Sequence, residues 1–191
     1  MRVFFCLLLD DATRGEIGRR ALEIRRSTHM RASWVRPENY HLTVRFLGEI
    51  EPMLTVDLER VSRRITTSIA PFALSLDRFG GFPSIERPRV LWFGGETPSL
   101  FRGLATSLYH DLGELGFPPE DREPDAHITI ARIKGRPDPA TPGVIARLGP
   151  VAPLPVHVDR LVLMQSELTP AGAIYTPLFS TPLGGGDCRA D

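Results

Sequence analysis

One short pattern occurs twice in this chain and constrains its fold more than any other feature. His41-Leu42-Thr43-Val44 is followed 86 residues later by His127-Ile128-Thr129-Ile130. Each copy reads His-apolar-Thr-apolar and runs on to an arginine, Arg45 in the first and Arg132 in the second. An extended strand puts alternate side chains on one face. His41 and Thr43 therefore share a face, with Leu42 and Val44 packing behind them. His127 and Thr129 do the same in the second half. Two such strands side by side make a pocket with two imidazoles and two hydroxyls. That set moves protons at neutral pH and holds an anion without a metal.

The remaining pattern alternates strands and helices. Residues 2–9 form an apolar run of buried-strand length. Asp11 or Thr13 is a candidate cap for a helix to about Arg26, with Ile17, Ala21, Leu22 and Ile24 inward. Pro37 precedes the first motif strand, about 40–47. Pro52 opens a second helix to about Ile69, with Leu54, Leu58, Val61 and Ile65 at helical spacing. Phe72–Leu76 reads as a strand, Gly80-Gly81-Phe82-Pro83 as a turn, and Val90–Phe93 as a strand. A third helix runs from Ser99 to about Leu115, stopped by Gly116 and Pro118-Pro119. Residues Arg122 to Asp125 lead into the second motif strand, about 126–133. A short helix near 143–148 and strands over Val156–Met164 and Ala173–Phe179 follow. Gly184-Gly185-Gly186 opens a disordered tail over 184–191. On residue pattern alone the class is α+β with antiparallel sheets.

Composition excludes some functions. Lysine plus arginine balance aspartate plus glutamate at 23 each, so no overall basic field attracts nucleic acid. Residues 1–95 nevertheless carry 15 basic and 11 acidic side chains, which allows a local basic rim. Cys6 and Cys188 sit in no disulfide framework or metal-ligand spacing. The apolar run at the start is short, meets Asp10-Asp11 at once and lacks a small-residue cleavage site. No stretch approaches the roughly 20 apolar residues of a membrane helix. The expectation is a cytoplasmic protein with no membrane association. A Gly-rich phosphate loop ending in Lys-Ser/Thr is missing, so ATP-driven ligation is not expected. His29, His110 and His157 form no zinc-like spacing, and neither a metal nor a cofactor is expected.

Trp34-Val35-Arg36-Pro37-Glu38-Asn39-Tyr40-His41-Leu42-Thr43-Val44-Arg45-Phe46-Leu47-Gly48 resembles the first signature of the two-histidine phosphoesterases. His127-Ile128-Thr129-Ile130-Ala131-Arg132 is similar to the second. The branch it resembles is the RNA 2',3'-cyclic phosphodiesterases, historically called 2'-5' RNA ligases. Arg2-Val3-Phe4-Phe5, Gly81-Phe82-Pro83, Arg87 to Trp92 and Ser166-Glu167-Leu168 also fit, so the likeness spans about residues 2–183. One departure is Ala126, where relatives often have proline before the second histidine. The resemblance implies one bilobal domain over 1–183. Two pseudo-symmetric lobes, with antiparallel sheets flanked by helices, each give a motif strand to a central cleft. It implies His41 as proton donor to the ribose O3' and His127 as proton acceptor from water, giving a 2'-phosphate. The implied substrate is RNA with a 2',3'-cyclic phosphate end, or a small cyclic nucleotide. With an RNA 5'-hydroxyl replacing water, the same site joins 2'-5' bonds.

Hydrolysis of a cyclic phosphodiester needs a base for water, an acid for the departing oxygen, and donors to the non-bridging oxygens. Thr43 and Thr129 are placed to donate. Period-2 geometry puts Arg45 on the histidine face and Arg132 behind it. The resemblance instead favours Arg132, which a bulge would turn inward. Trp34, Trp92 and Phe82 are candidates to stack on a base, with core packing the competing role for Trp92. Competing readings keep the fold and change the substrate to ADP-ribose cyclic phosphate, free cyclic nucleotides or 2'-5' oligonucleotides. Others make the chain a non-catalytic binder of nucleotides or RNA ends, or a metal-dependent hydrolase sensitive to chelators. A closed two-lobed enzyme of this size is expected to be a monomer.

Overall fold

A computed structural model describes residues 1–118, 120, 123–148, 152–170 and 172–185. In chain order its elements are β1 (Arg2–Leu8), α1 (Asp11–Arg26), β2 (Ala32–Trp34), β3 (His41–Glu49), α2 (Thr55–Thr67), β4 (Phe72–Leu76) and β5 (Arg78–Phe82). There follow β6 (Val90–Gly94), α3 (Ser99–Gly113), β7 (His127–Ile133), α4 (Thr141–Leu148), β8 (Leu154–Val158), β9 (Arg160–Thr169) and β10 (Gly172–Pro182). The strands form two four-stranded sheets, β10-β9-β1-β3 and β2-β7-β6-β5, and a two-stranded one, β4-β8. The strand pairs are antiparallel. Each large sheet contains one motif strand, and β3 and β7 lie beside each other.

The opening apolar run is apolar because both faces of β1 are covered. Val3, Phe5 and Leu7 belong to the main core, while Phe4 and Cys6 pack with Val162 on the opposite face. Helices cover the main-core side: α2 packs on α3, β9 and β10, and α3 on β3. The cap of helix α1 is Asp10, one residue before Asp11 and three before Thr13, because the Asp10 carboxylate accepts the backbone N–H of Thr13 at 2.7 Å and its hydroxyl at 3.0 Å. Ile17, Ala21 and Ile24 are buried, but Leu22 is exposed. It sits about 100° around the helix from Ala21, off the apolar stripe.

Other expectations are corrected. Gly80-Gly81-Phe82 belongs to a strand, not a turn: Gly80 pairs with Trp92, and a Cβ there would lie 2.1 Å from the indole. Glycine lets the strand pass beneath that ring. Val156–Met164 is two strands, broken at Asp159, with β8 pairing to β4 and β9 to β1. The second helix starts after a 3₁₀ turn over Pro52–Leu54 and ends at Thr67. Within the expected tail, the Gly184 N–H donates to the Ile69 carbonyl at 2.8 Å. Pro119, Arg122 and residues 186–191 lie outside the described residues. Among the described residues no helix is long and apolar enough to cross a membrane.

Candidate active site

His41 opens β3 and is half-buried. Its Nδ1 lies 2.8 Å from the Asn39 carbonyl oxygen. A carbonyl only accepts, so Nδ1 carries the proton and Nε2 is left bare in the neutral ring. Asn39 ends a 3₁₀ turn, and its Nδ2 donates to the Ala173 carbonyl at 2.8 Å, fixing the loop against β10. The imidazole packs on Phe4, with ring centroids 4.8 Å apart, and edge-on to Tyr175 at 5.2 Å. Burial lowers its pKa to about 4, and the charges of Arg132 and His127 act in the same direction. The Asn39 carbonyl opposes that shift.

His127 repeats the geometry in the second sheet. Its Nδ1 meets the Asp125 carbonyl at 3.0 Å, and Nε2 is again the free nitrogen. Phe82 lies edge-on at 4.9 Å and Trp92 at 6.3 Å. Burial pushes this imidazole below its ordinary pKa as well. Here, however, a carboxylate opposes the shift, with Asp125 Oδ2 3.9 Å from Nδ1. The Thr97 hydroxyl donates to Asp125 Oδ1 at 3.2 Å and accepts the Ala126 backbone N–H at 3.0 Å. Proline at position 126 would have no such N–H to give. The two histidines thus share a motif and differ in surroundings.

Thr43 and Thr129 stand half-buried on the histidine faces, opposite Cys6 and Trp92 on the neighbouring strands. Burial raises the Cys6 thiol pKa, so it stays protonated. Beyond each threonine the strand is bulged. In β3, Cys6 pairs with Thr43 and Phe5 with Arg45, which leaves Val44 out of the ladder. In β7, Trp92 pairs with Thr129 and Leu91 with Ala131, which leaves out Ile130. The freed Val44 carbonyl accepts the Tyr109 hydroxyl at 3.0 Å, and that of Ile130 accepts the Val35 N–H at 2.9 Å.

Each bulge advances the alternation by one residue, which inverts the expected facing of both arginines. Arg45 turns behind the strand and is 5% exposed. It pairs with Glu120 at 2.5 Å, donates to the Pro118 carbonyl, and lies over the Tyr109 ring at 5.0 Å. The period-2 expectation for Arg45 is therefore corrected. Arg132 is exposed and its charge acts on His41, His127 and Tyr175 together. Phe46 occupies the matching place in β3.

Asn39, Asp125, Thr97, Phe4 and Tyr175 support the site. Asn39 and Phe4 fall within segments that carry the family resemblance and nearness to His127 marks Asp125, whereas Thr97 and Tyr175 carry no such signal. Trp34 pairs with Ala131 and packs on the core, whereas Trp92 and Phe82 flank His127. His29, His110 and His157 are exposed elsewhere. Among the described residues no three His, Cys, Asp or Glu side chains gather as metal ligands would.

The model of the family described as LigT like Phosphoesterase matches residues 8–92 and 96–175, which takes in both motifs. The chain belongs to the LigT-like, two-histidine phosphoesterase family. An RNA 2',3'-cyclic phosphodiesterase of Methanothermobacter thermautotrophicus is 34% identical over 93% of this chain and 96% of its own length. One from Thermotoga maritima is 33% identical over 99% of both. Among solved structures, TT0787 of Thermus thermophilus superposes with TM-score 0.79 at 29% identity, covering 98% of this chain and 100% of that one. LigT of E. coli complexed with 3'-AMP gives 0.76 at 26% identity, covering 95% and 97%. This LigT-like phosphoesterase therefore has the family's fold along nearly its whole length.

Proposed function

We propose that the protein hydrolyses RNA 2',3'-cyclic phosphodiester ends to 2'-phosphomonoesters, without a metal, by acid–base catalysis between His41 and His127. The observation that carries this reading is the pair of imidazoles whose Nδ1 atoms are held by backbone carbonyls. That leaves two Nε2 atoms for substrate, with Thr43, Thr129 and Arg132 on the same faces. The names of its relatives support the substrate class.

His127 Nε2 removes a proton from water as the oxygen attacks phosphorus. The P–O3' bond breaks on the opposite side, and His41 Nε2–H protonates the departing O3'. Charge building on the non-bridging oxygens is met by the two hydroxyls and the Arg132 guanidinium. Turnover leaves His127 protonated and His41 neutral, and exchange with solvent resets both. Burial keeps His41 neutral in the free protein at pH 7. The substrate phosphate supplies the counter-charge that raises its pKa and loads its proton. By microscopic reversibility, an RNA 5'-hydroxyl in place of water forms a 2'-5' bond, with hydrolysis favoured in bulk water. In this reading the protein acts as a monomer in the cytoplasm.

The test is incubation with a short RNA ending in a 2',3'-cyclic phosphate, with EDTA present and the products resolved by position. A 2'-phosphate is expected. A 3'-phosphate would reverse the leaving-group assignment, and loss of turnover on chelation would overturn the metal-free mechanism.

A further inference from the structure

The bulges leave the candidate site unequal on its two sides. The residue five places after each histidine returns to the histidine face. In β7 that residue is Arg132, and in β3 it is Phe46, 43% exposed. Phe46 belongs to neither apolar cluster. Its ring stacks on Phe4 with centroids 6.4 Å apart and an angle of 17°, and Phe4 in turn packs on His41. The Arg2 guanidinium carbon lies 4.7 Å from the Phe46 centroid. Arg2 sits two residues before Phe4 on β1 and shares its face. Its cross-strand neighbour, Glu49, is engaged by the Met1 amino terminus at 3.3 Å. Arg2 enters no ion pair among the described residues. Its charge reaches Tyr175, the other ring against His41. An exposed aromatic ring and the guanidinium that lies over it, which has no ion pair among the described residues, thus sit together on the His41 side of the site. A base that stacks on Phe46 takes the place of the guanidinium, which swings to the phosphate.

The proposed reaction gives that side a definite occupant. His41 delivers its proton to O3', so the ribose of the terminal nucleotide lies toward β3 and β1. Phe46 is two pleat steps beyond Thr43, about 7 Å along the strand at roughly 3.3 Å per residue. A base attached to that ribose spans such a distance, and so does the phosphate on its 5' side. Aromatic rings and guanidinium planes both stack on nucleobases, and a guanidinium edge donates to phosphate.

We propose that Arg2 and Phe46 form a subsite for the terminal nucleotide: Phe46 stacks its base, and Arg2 binds the phosphodiester on its 5' side. The subsite rests on the proposed hydrolase reading. It makes the enzyme selective for oligonucleotide ends over nucleoside 2',3'-cyclic phosphates, which lack that second phosphate.

The test compares kcat/KM for adenosine 2',3'-cyclic phosphate and for an ApA dinucleotide ending in a 2',3'-cyclic phosphate. The native protein is measured beside Arg2→Gln, Arg2→Lys and Phe46→Leu, each checked for fold by circular dichroism. The native protein is expected to prefer the dinucleotide. Arg2→Gln lowers the dinucleotide-to-mononucleotide ratio about tenfold and flattens the salt dependence of dinucleotide KM by about 0.7 in log–log slope. Arg2→Lys keeps most of the slope. Phe46→Leu raises KM on both substrates by about tenfold, in the range of one lost base–aromatic stack. Turnover of both substrates with no dinucleotide preference, or an Arg2→Gln ratio and salt slope equal to those of the native protein, overturns the subsite. No turnover of either substrate by the native protein overturns the hydrolase reading and the subsite with it.

Discussion

At the residue scale, identical motifs yield unequal groups because the difference lies in what surrounds them. Asp125 places a carboxylate near His127, and among the described residues no such group stands near His41. A carboxylate favours the imidazolium, so Asp125→Asn lowers the His127 pKa further. Proton NMR titration of the ring is expected to show that shift, with the acid limb of the rate profile moving to lower pH. Thr97→Val, which removes the hydroxyl that offsets part of the carboxylate's charge, shifts both in the opposite sense, and Thr97→Ser restores them. Unmoved titrations would show that the network only supports the loop. The two arginines separate as cleanly. Arg132→Gln is expected to slow turnover by about 100-fold, the loss typical of one donor to a developing oxyanion. Arg45→Met is expected to cost about 2 kcal/mol of stability in urea unfolding by losing a buried hydrogen-bonded charge, with the rate per folded molecule retained. The sequence placed both arginines beside the motifs, but strict alternation assigned each to the wrong face. Resemblance alone pointed to Arg132.

At the element scale, the strands that carry the histidines were legible because apolar and polar residues alternate there. The bulges were not, because a bulge is a mismatch of register between two strands and has no signature in one of them. The same limit hid β5. Its glycines read as a turn, yet Gly80 is needed where the Trp92 ring crosses the strand. Gly80→Ala is therefore expected to displace the indole that flanks His127. Intrinsic Trp92 fluorescence should change, thermal stability should fall, and kcat should drop more than KM rises. An unchanged spectrum with full activity would mean that the ring is not held by this contact. Helix α1 shows a smaller miss: the cap fell on Asp10 because its side chain reaches Thr13 from just outside the helix.

At the scale of the whole molecule, each of the two four-stranded sheets carries one motif strand, and the two motif strands lie beside each other. The doubled motif announced a pair of such strands, and the residue pattern, with its resemblance to a family, supplied the α+β class with antiparallel sheets. What no local pattern announced is the cost of burying two imidazoles between aromatic rings. The His41 pKa of about 4 lies below its unfolded value near roughly 6.5, so the unfolded chain binds more protons between those limits. Stability is therefore complete above the unfolded value and falls as pH drops toward the folded one. From pH 7 to pH 5 the His41 contribution is about 2 kcal/mol. Urea midpoints should fall over that interval in the native protein and fall less in His41→Ala. A flat native profile would mean that the imidazole is better solvated than its packing on Phe4 and Tyr175 indicates. The division of labour between the two histidines is tested most directly by changing the leaving atom. His41→Ala and His127→Ala would be assayed, with EDTA present, on an RNA 2',3'-cyclic phosphate carrying oxygen or sulfur at the 3' bridge. Both variants are expected to be slowed on the oxygen substrate by at least about 100-fold, the usual contribution of a general acid or base. Sulfur leaves without a proton, so it should restore His41→Ala and leave His127→Ala slow. Restoration of His127→Ala instead, or of neither variant, would contradict the assignment of His41 as the acid.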